Sequence, residues 1–157
     1  MIVAAREHLD EALLVESMPL VKASSDEVEN GPELEMDIPG LLNAELTGQA
    51  ASYTLRDEGQ LIGYIHVCLS GNMHFRSLII AIVDSIYIVP RYRRGNLARQ
   101  FIKRVEDDLA SMQIRQLAFY IKVEHDYEKL FMRMHYICSE KIYVKDLGNG
   151  TSVHTGT

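Results

Sequence analysis

Four arginines crowd one short stretch, Pro90-Arg91-Tyr92-Arg93-Arg94-Gly95-Asn96-Leu97-Ala98-Arg99. The run Leu78–Val89 before it is β-branched and apolar, and the run after it is helical in spacing. A strand therefore delivers the chain to a helix N-terminus, where the first backbone N–H groups lack partners and the dipole is positive. Gly95, Asn96 and Ala98 are small or tolerant of unusual backbone angles, so an anion's oxygens can approach the amides. Arg91, Arg93, Arg94 and Arg99 add charge-assisted donors worth roughly 1.5–3 kcal/mol each. The arrangement suits a diphosphate. The alternative is a helix start whose arginines pair with nearby carboxylates.

Asp84 is the one charge between Ser77 and Val89. A carboxylate among isoleucines is expected to be desolvated, which would raise its pKa and suit it to take a proton from an ammonium. The alternative is a structural Asp at a β-bulge. His66 and Cys68 share one face of a strand, an arrangement that could make a nucleophilic pair but is read as core packing. The six histidines, His8, His66, His74, His125, His135 and His154, have no ligand spacing, so no metal site is expected. Cys68 and Cys138 lie far apart in apolar stretches without a Cys-x-x-Cys, and are expected to be buried reduced thiols. Gly-x-Ser-x-Gly, P-loop and dinucleotide fingerprints are absent.

These residues need positioning elements. At 157 residues with 47% apolar content, the chain suffices for one folded domain. Residues 6–18 predict an amphipathic helix ended by Pro19, residues 24–40 a loop, and residues 41–49 a short helix. Residues 52–56 and 61–69 about the turn Asp57-Glu58-Gly59 predict a β-hairpin, and residues 77–89 a central strand covered on both faces. Residues 96–112 predict a helix with Leu97, Phe101, Val105, Leu109 and Met112 inward. A strand over 117–123, a helix over 126–135 and a last strand over 142–144 follow, then a frayed tail from Gly148. The order describes an α+β or mixed α/β sandwich.

Charge is asymmetric. Residues 1–60 hold 3 Lys/Arg against 13 Asp/Glu, and residues 61–157 hold 13 against 9, within a net charge of −6. This acidic chain lacks a basic stripe, which argues against nucleic acid. The acidic half either attracts a cationic substrate or decorates solvated helices. No apolar run is long enough for a membrane span or signal core, so the protein is expected to be cytoplasmic, with no membrane partner.

The turn resembles the signature of the GNAT superfamily of acyl-CoA-dependent N-acyltransferases: a strand, Pro-x-Tyr-Arg-x-x-Gly-x-Gly/Ala, then a helix. Pro90, Tyr92, Arg93 and Ala98 match in register. Phe131-Met132-Arg133-Met134-His135-Tyr136 is similar to the family's later Tyr-x-Lys-x-Gly-Phe, and the likeness spans residues 53–146. The overall texture is similar to small bacteriophage-encoded members. The resemblance implies a mixed α/β fold, its mostly antiparallel sheet having splayed parallel central strands and helices on both faces. It implies one domain over residues 1–147 with a flexible tail over 148–157. Acetyl-CoA would be the cosubstrate, with no metal. Its pyrophosphate would lie on the turn formed by Arg93, Arg94, Gly95, Asn96, Leu97, Ala98 and Arg99. Its pantetheine would lie beside Ile86 and Ile88, with Phe131 nearby. Asp84 matches the position of the family's general base. Phe131 stands where many members carry a proton-donating tyrosine, a role Tyr127 could inherit one turn earlier. Asn96 and His135 stand where the family carries glycines. The acceptor would be an amine on a small molecule or protein, and a homodimer is allowed. A catalytically silent binding module is the alternative.

Overall fold

The computed structural model describes residues 1–28, 33–71, 73–75, 77–121, 127–145 and 147. Among these residues five strands form one sheet in the order β1-β2-β3-β4-β5. They are β1 (Ile2–Arg6), β2 (Ala50–Asp57), β3 (Gln60–Gly71), β4 (Ile79–Ile88) and β5 (Gln116–Phe119). The first three pairings are antiparallel and β4–β5 is parallel. Helices α1 (Glu11–Asp26) and α2 (Ile38–Leu46) precede β2, α3 (Leu97–Ser111) links β4 to β5, and α4 (Glu128–Arg133) follows. This is the mixed α/β architecture expected. No helix among the described residues is long and apolar enough to cross a membrane.

The β2–β3 hairpin forms because Glu58 and Gly59 both take positive φ, 48° and 84°, the two-residue turn that matches strand twist. Side-chain alternation then divides the sheet. Ala51, Tyr53, Leu55, Ile65 and Val67 meet Phe101, Ile102, Val105 and Leu109 of α3 in the main core. The Tyr53 hydroxyl donates to Asp108 on that helix at 2.9 Å, and burial with that contact pushes the phenol's pKa up. Ser52, Thr54, Tyr64 and His66 face the other way, toward α1 and α2.

The N-terminal third departs from expectation. Residues 2–6 form the edge strand β1, where the sequence predicts no element before residue 6, and α1 begins later than expected, after its cap, Asp10, which accepts from the Leu13 N–H at 2.9 Å. Pro19 lies inside α1 instead of ending it. A proline there removes one helical hydrogen bond, but contacts beyond it hold the helix: Val21 and Ser24 line a cleft and Glu27 pairs with Arg93. Residues 24–26 and 38–40 are thus helical, not loop. Asp37 caps α2 through the Gly40 N–H at 3.0 Å, with Pro39 in the first turn, where a missing N–H is harmless.

Further corrections concern exposure. Cys68 and Cys138 are both exposed free thiols rather than buried ones. Residues 142–144 form no strand; Ile142, Tyr143 and Val144 lie exposed outside the sheet, because no ladder partner sits beside them among the described residues. Parts of the expected elements at 117–123 and 126–135, together with His125, His154 and the tail, lie outside the described residues.

Candidate functional site

Beyond the Val83–Phe119 pair, β5 no longer accompanies β4, so the outer edge of β4 from Asp84 to Ile88 has no partner strand among the described residues. The chain then makes a single 3-10 turn over Pro90–Tyr92 and enters α3. Gly95 takes φ +74°, whereas Asn96 has φ −107°, so the left-handed residue here is Gly95 and the asparagine needs no glycine's freedom. Asn96 makes no side-chain cap. The first helical bond runs from the Gln100 N–H to the Asn96 carbonyl, which leaves the Leu97, Ala98 and Arg99 amides outside the helical ladder. Arg94 and Arg99 are exposed and make no ion pair among the described residues.

The other two arginines of the turn are committed elsewhere. Arg93 donates to the Ile88 carbonyl and to Glu27 at the end of α1, each at 2.6 Å, and its guanidinium lies 5.0 Å from the Tyr87 ring centre. Arg91 covers the Tyr92 ring at 4.9 Å, and the Tyr92 hydroxyl donates to Asp57 at 2.9 Å. Pro90, Tyr92 and Arg93 thus shape the turn, while Gly95–Arg99 present its amides. Ile86 is half-buried, and the carbonyl of Ile88 is already taken by Arg93.

On the α1–α2 side lies a cleft of about 450 Å³. Leu9, Leu13, Leu14, Met36 and Leu41 form its apolar wall. Its polar wall is the sheet, with Ser52, Thr54, His66, Asp84 and Ser85. Asp84 is exposed, so the expected desolvation of its carboxylate is not found. It occupies an irregularity: His66 pairs with Ser85 and Val67 with Val83, which makes Asp84 the extra residue of a β-bulge. Tyr127 occupies the N-cap position of α4, makes no side-chain cap there and is exposed. Phe131 packs against Phe119 and Tyr136, with ring centres 4.7 and 5.2 Å away. His135 has φ +65° and lets the Tyr136 N–H reach the Phe131 carbonyl at 2.9 Å, the left-handed helix stop that the glycine of this motif would make.

A group missed in the sequence joins α2 to the cleft. Ser52 donates to Glu45 at 3.1 Å and lies 2.9 Å from His66 Nδ1, and all three side chains are buried. The hairpin register alone could have placed Ser52 opposite His66, since the two strands pair there. Cys68 makes no hydrogen bond to His66 among the described residues. Several carboxylates of the acidic half are engaged within the fold, while Glu11, Asp26, Glu33, Glu35 and Glu58 are exposed. Arg56 engages Glu7 and Glu16 in 2.7 Å contacts, which hold both carboxyls below the ordinary range, while Asp10 and Asp37 cap helices and Glu27 holds Arg93.

The fold has many solved relatives. A ribosomal-protein-alanine N-acetyltransferase from Brucella melitensis biovar Abortus 2308 superposes with a TM-score of 0.75 at 21% identity, covering 95% of this chain and 99% of that one. An aminoglycoside acetyltransferase, meta-AAC0020, from an uncultured soil metagenomic sample gives 0.72 at 12% identity, with 96% and 97% covered. A predicted acetyltransferase from Clostridium acetobutylicum, solved with acetyl-CoA, gives 0.68 at 12%, with 94% and 97% covered. No curated protein matches the sequence. Residues 17–136, which include the turn, the bulge and the helix stop at His135, match the Acetyltransferase (GNAT) family, and the chain belongs to it.

Proposed function

We propose that the chain is an acetyl-CoA-dependent N-acetyltransferase that acts on an amine, within one domain spanning residues 1–147. The observation that carries this is the start of α3. There the Leu97–Arg99 amides stand outside the helical ladder, beside a left-handed Gly95 and the exposed Arg94 and Arg99, at the end of a β4 whose edge beyond Val83 has no partner strand among the described residues. Amides and guanidinium groups are the donors that a pyrophosphate requires. Arg94, Gly95, Asn96, Leu97, Ala98 and Arg99 hold the phosphates in this reading. Arg93 keeps the turn in shape, and the backbone at Ile86 receives the pantetheine arm. The acceptor enters the cleft beside Asp84. Tyr127 is the nearest phenol in sequence to Phe131, whose ring cannot donate a proton to the leaving thiolate. That thiolate, of pKa about 8.5, leaves tolerably unaided.

Calorimetry with acetyl-CoA tests the reading. Binding is expected, weaker with added salt and about tenfold or more weaker in Arg94→Glu, which reverses one phosphate-facing charge. No heat and no melting shift at saturating acetyl-CoA would overturn it. The same family fold acting as a silent binding module is favoured by one observation, the Phe131 ring packed into an aromatic cluster. Acetyl-CoA binding without release of free thiol across a broad amine panel would select that alternative.

A further inference from the structure

His66 has hydrogen-bonding capacity that the fold does not use. Only 7% of it is exposed, yet its Nε2 is buried without a hydrogen-bond partner among the described residues. A buried imidazole nitrogen left unpaired is costly, and natural folds rarely retain one without a use. The other ring nitrogen fixes the tautomer. Ser52 has one hydroxyl proton and gives it to Glu45. Its oxygen can then only accept from His66, so Nδ1 carries the hydrogen and Nε2 the lone pair. A base is thereby set into the polar wall of the cleft.

Its neighbours are few. Glu45 faces it from α2, with His8 3.7 Å behind that carboxylate. Asp84 faces it from β4, close enough for its charge to favour the protonated ring. On its own strand Tyr64 and Cys68 flank it, and Asp37 lies elsewhere on the cleft margin. From α1 the cleft receives Leu14, Ser17 and Val21 and no charge. Burial is the strongest influence on the ring and holds its pKa below the ordinary histidine value, which keeps it in the neutral, proton-accepting form.

Resting on the acyl-transfer reading above, we infer that the cleft takes a primary amine carried on an apolar body, docks its ammonium on Asp84, and passes the ammonium proton to His66 Nε2. Asp84 is the exposed carboxylate of that wall, and the facing wall of leucines and methionine suits hydrocarbon rather than further charges. The step balances. One ammonium proton goes to His66, and the freed amine attacks the thioester carbonyl, so that a C–N bond forms and the C–S bond breaks. A second proton neutralises the departing thiolate, the third stays on the amide, and the imidazolium releases its proton to solvent. His66 is the proton acceptor of this step, held by Ser52 and Glu45, while Asp84 docks the ammonium.

The test compares hexylamine and phenethylamine with spermidine and kanamycin as acceptors, following thiol release across the neutral pH range. Nitrogen-15 spectra of the histidine rings and acetyl-CoA calorimetry accompany each variant. The apolar amines are expected to exceed the polycations by about tenfold or more in kcat/KM. His66→Gln should lower kcat about 100-fold, abolish the rise of rate with pH and leave acetyl-CoA affinity unchanged. Ser52→Ala keeps the ring but releases its tautomer, so the parent's Nδ1–H signal should give way to a mixture and kcat should fall less. Should His66→Gln fail to fold, Ser52→Ala carries the comparison. Preference for the polycations, an Nε2–H ring in the parent, or an unchanged pH profile in a folded variant would overturn this inference while acetyl-CoA binding stood. Loss of that binding in the parent would instead remove the acyl-transfer reading, and this with it.

Discussion

Beneath α3 the sheet presents Ala51, Tyr53, Ile65 and Val67, none more than 1% exposed. Beneath α1 the same two strands present Ser52, Thr54, Tyr64 and His66, and a cleft of about 450 Å³ separates sheet from helix. One face is filled by Phe101, Ile102 and Val105. The other is held by a small cluster, Leu9, Leu13 and Leu14, and by polar clamps at its margins. Alternation along a strand thus lets one sheet keep its stability on one side and its chemistry on the other.

Truncation should break the symmetry between the faces most visibly. Phe101→Ala opens a cavity in the filled core and is expected to cost about 3–5 kcal/mol, with Leu14→Ala nearer about 2 kcal/mol because its site already opens on the cleft. Urea unfolding measures both, and equal losses would erase the distinction.

Acid sensitivity should belong to the cleft side alone. Burial holds His66 below its ordinary 6.5, so the unfolded chain binds the proton more readily and stability falls as pH drops below about 6.5. Arg56 holds Glu7 and Glu16 below their ordinary 4.5. The stability they supply is full above that value and lost as pH falls through the lowered ones. With part of each pair in solvent, this step amounts to about 1–2 kcal/mol. Arg56→Met should remove the lower step and His66→Gln the upper one in melting curves taken against pH. On the α3 side the Tyr53 and Tyr136 phenols are pushed up, by burial first and then by Asp108 and Glu106, away from this range.

The smallest effect lies at the end of α4. His135 takes φ +65°, so His135→Gly should stabilise by about 0.5–1 kcal/mol, the relief of a left-handed side chain less the added backbone entropy. A lower melting temperature would show that the ring makes contacts worth more than the strain.

The hairpin, β4, α3 and the arginine-rich turn were legible because each is governed by local rules: period two, period 3.6, and turn residues between. The site was half legible for the same reason. Gly95–Arg99 are neighbours in sequence, whereas Glu45, Ser52 and His66 meet only through strand register and the packing of α2. Edge strand β1 was illegible because five short residues carry little periodicity and it is the pairing with β2 that makes them a strand. Pro19 misled for the opposite reason. A strong local rule there yields to distant contacts, notably Glu27 with Arg93. Exposure of Cys68 was illegible because the apolar run around it continues onto a face that the structure leaves partly open.

The extra residue at Asp84 changes the phase of β4. Before it, Ala81 and Val83, the odd positions, join the α3 core; after it, Ile86 and Ile88, the even ones, do so. An uninterrupted strand would press Ser85 and Tyr87 under α3 and turn two isoleucines toward the cleft. The sequence from Ile79 to Ile88 is therefore two short amphipathic messages written in different frames, with Asp84 as the shift between them. This explains why the run looks apolar on both parities although only at Tyr87 and Ile88 are two neighbouring side chains of β4 both buried. It also makes length, rather than residue type, the most constrained property of this strand. A substitution at 84 alters one carboxylate, but a single-residue deletion there would exchange the inside and outside of every position that follows, up to the turn that begins α3.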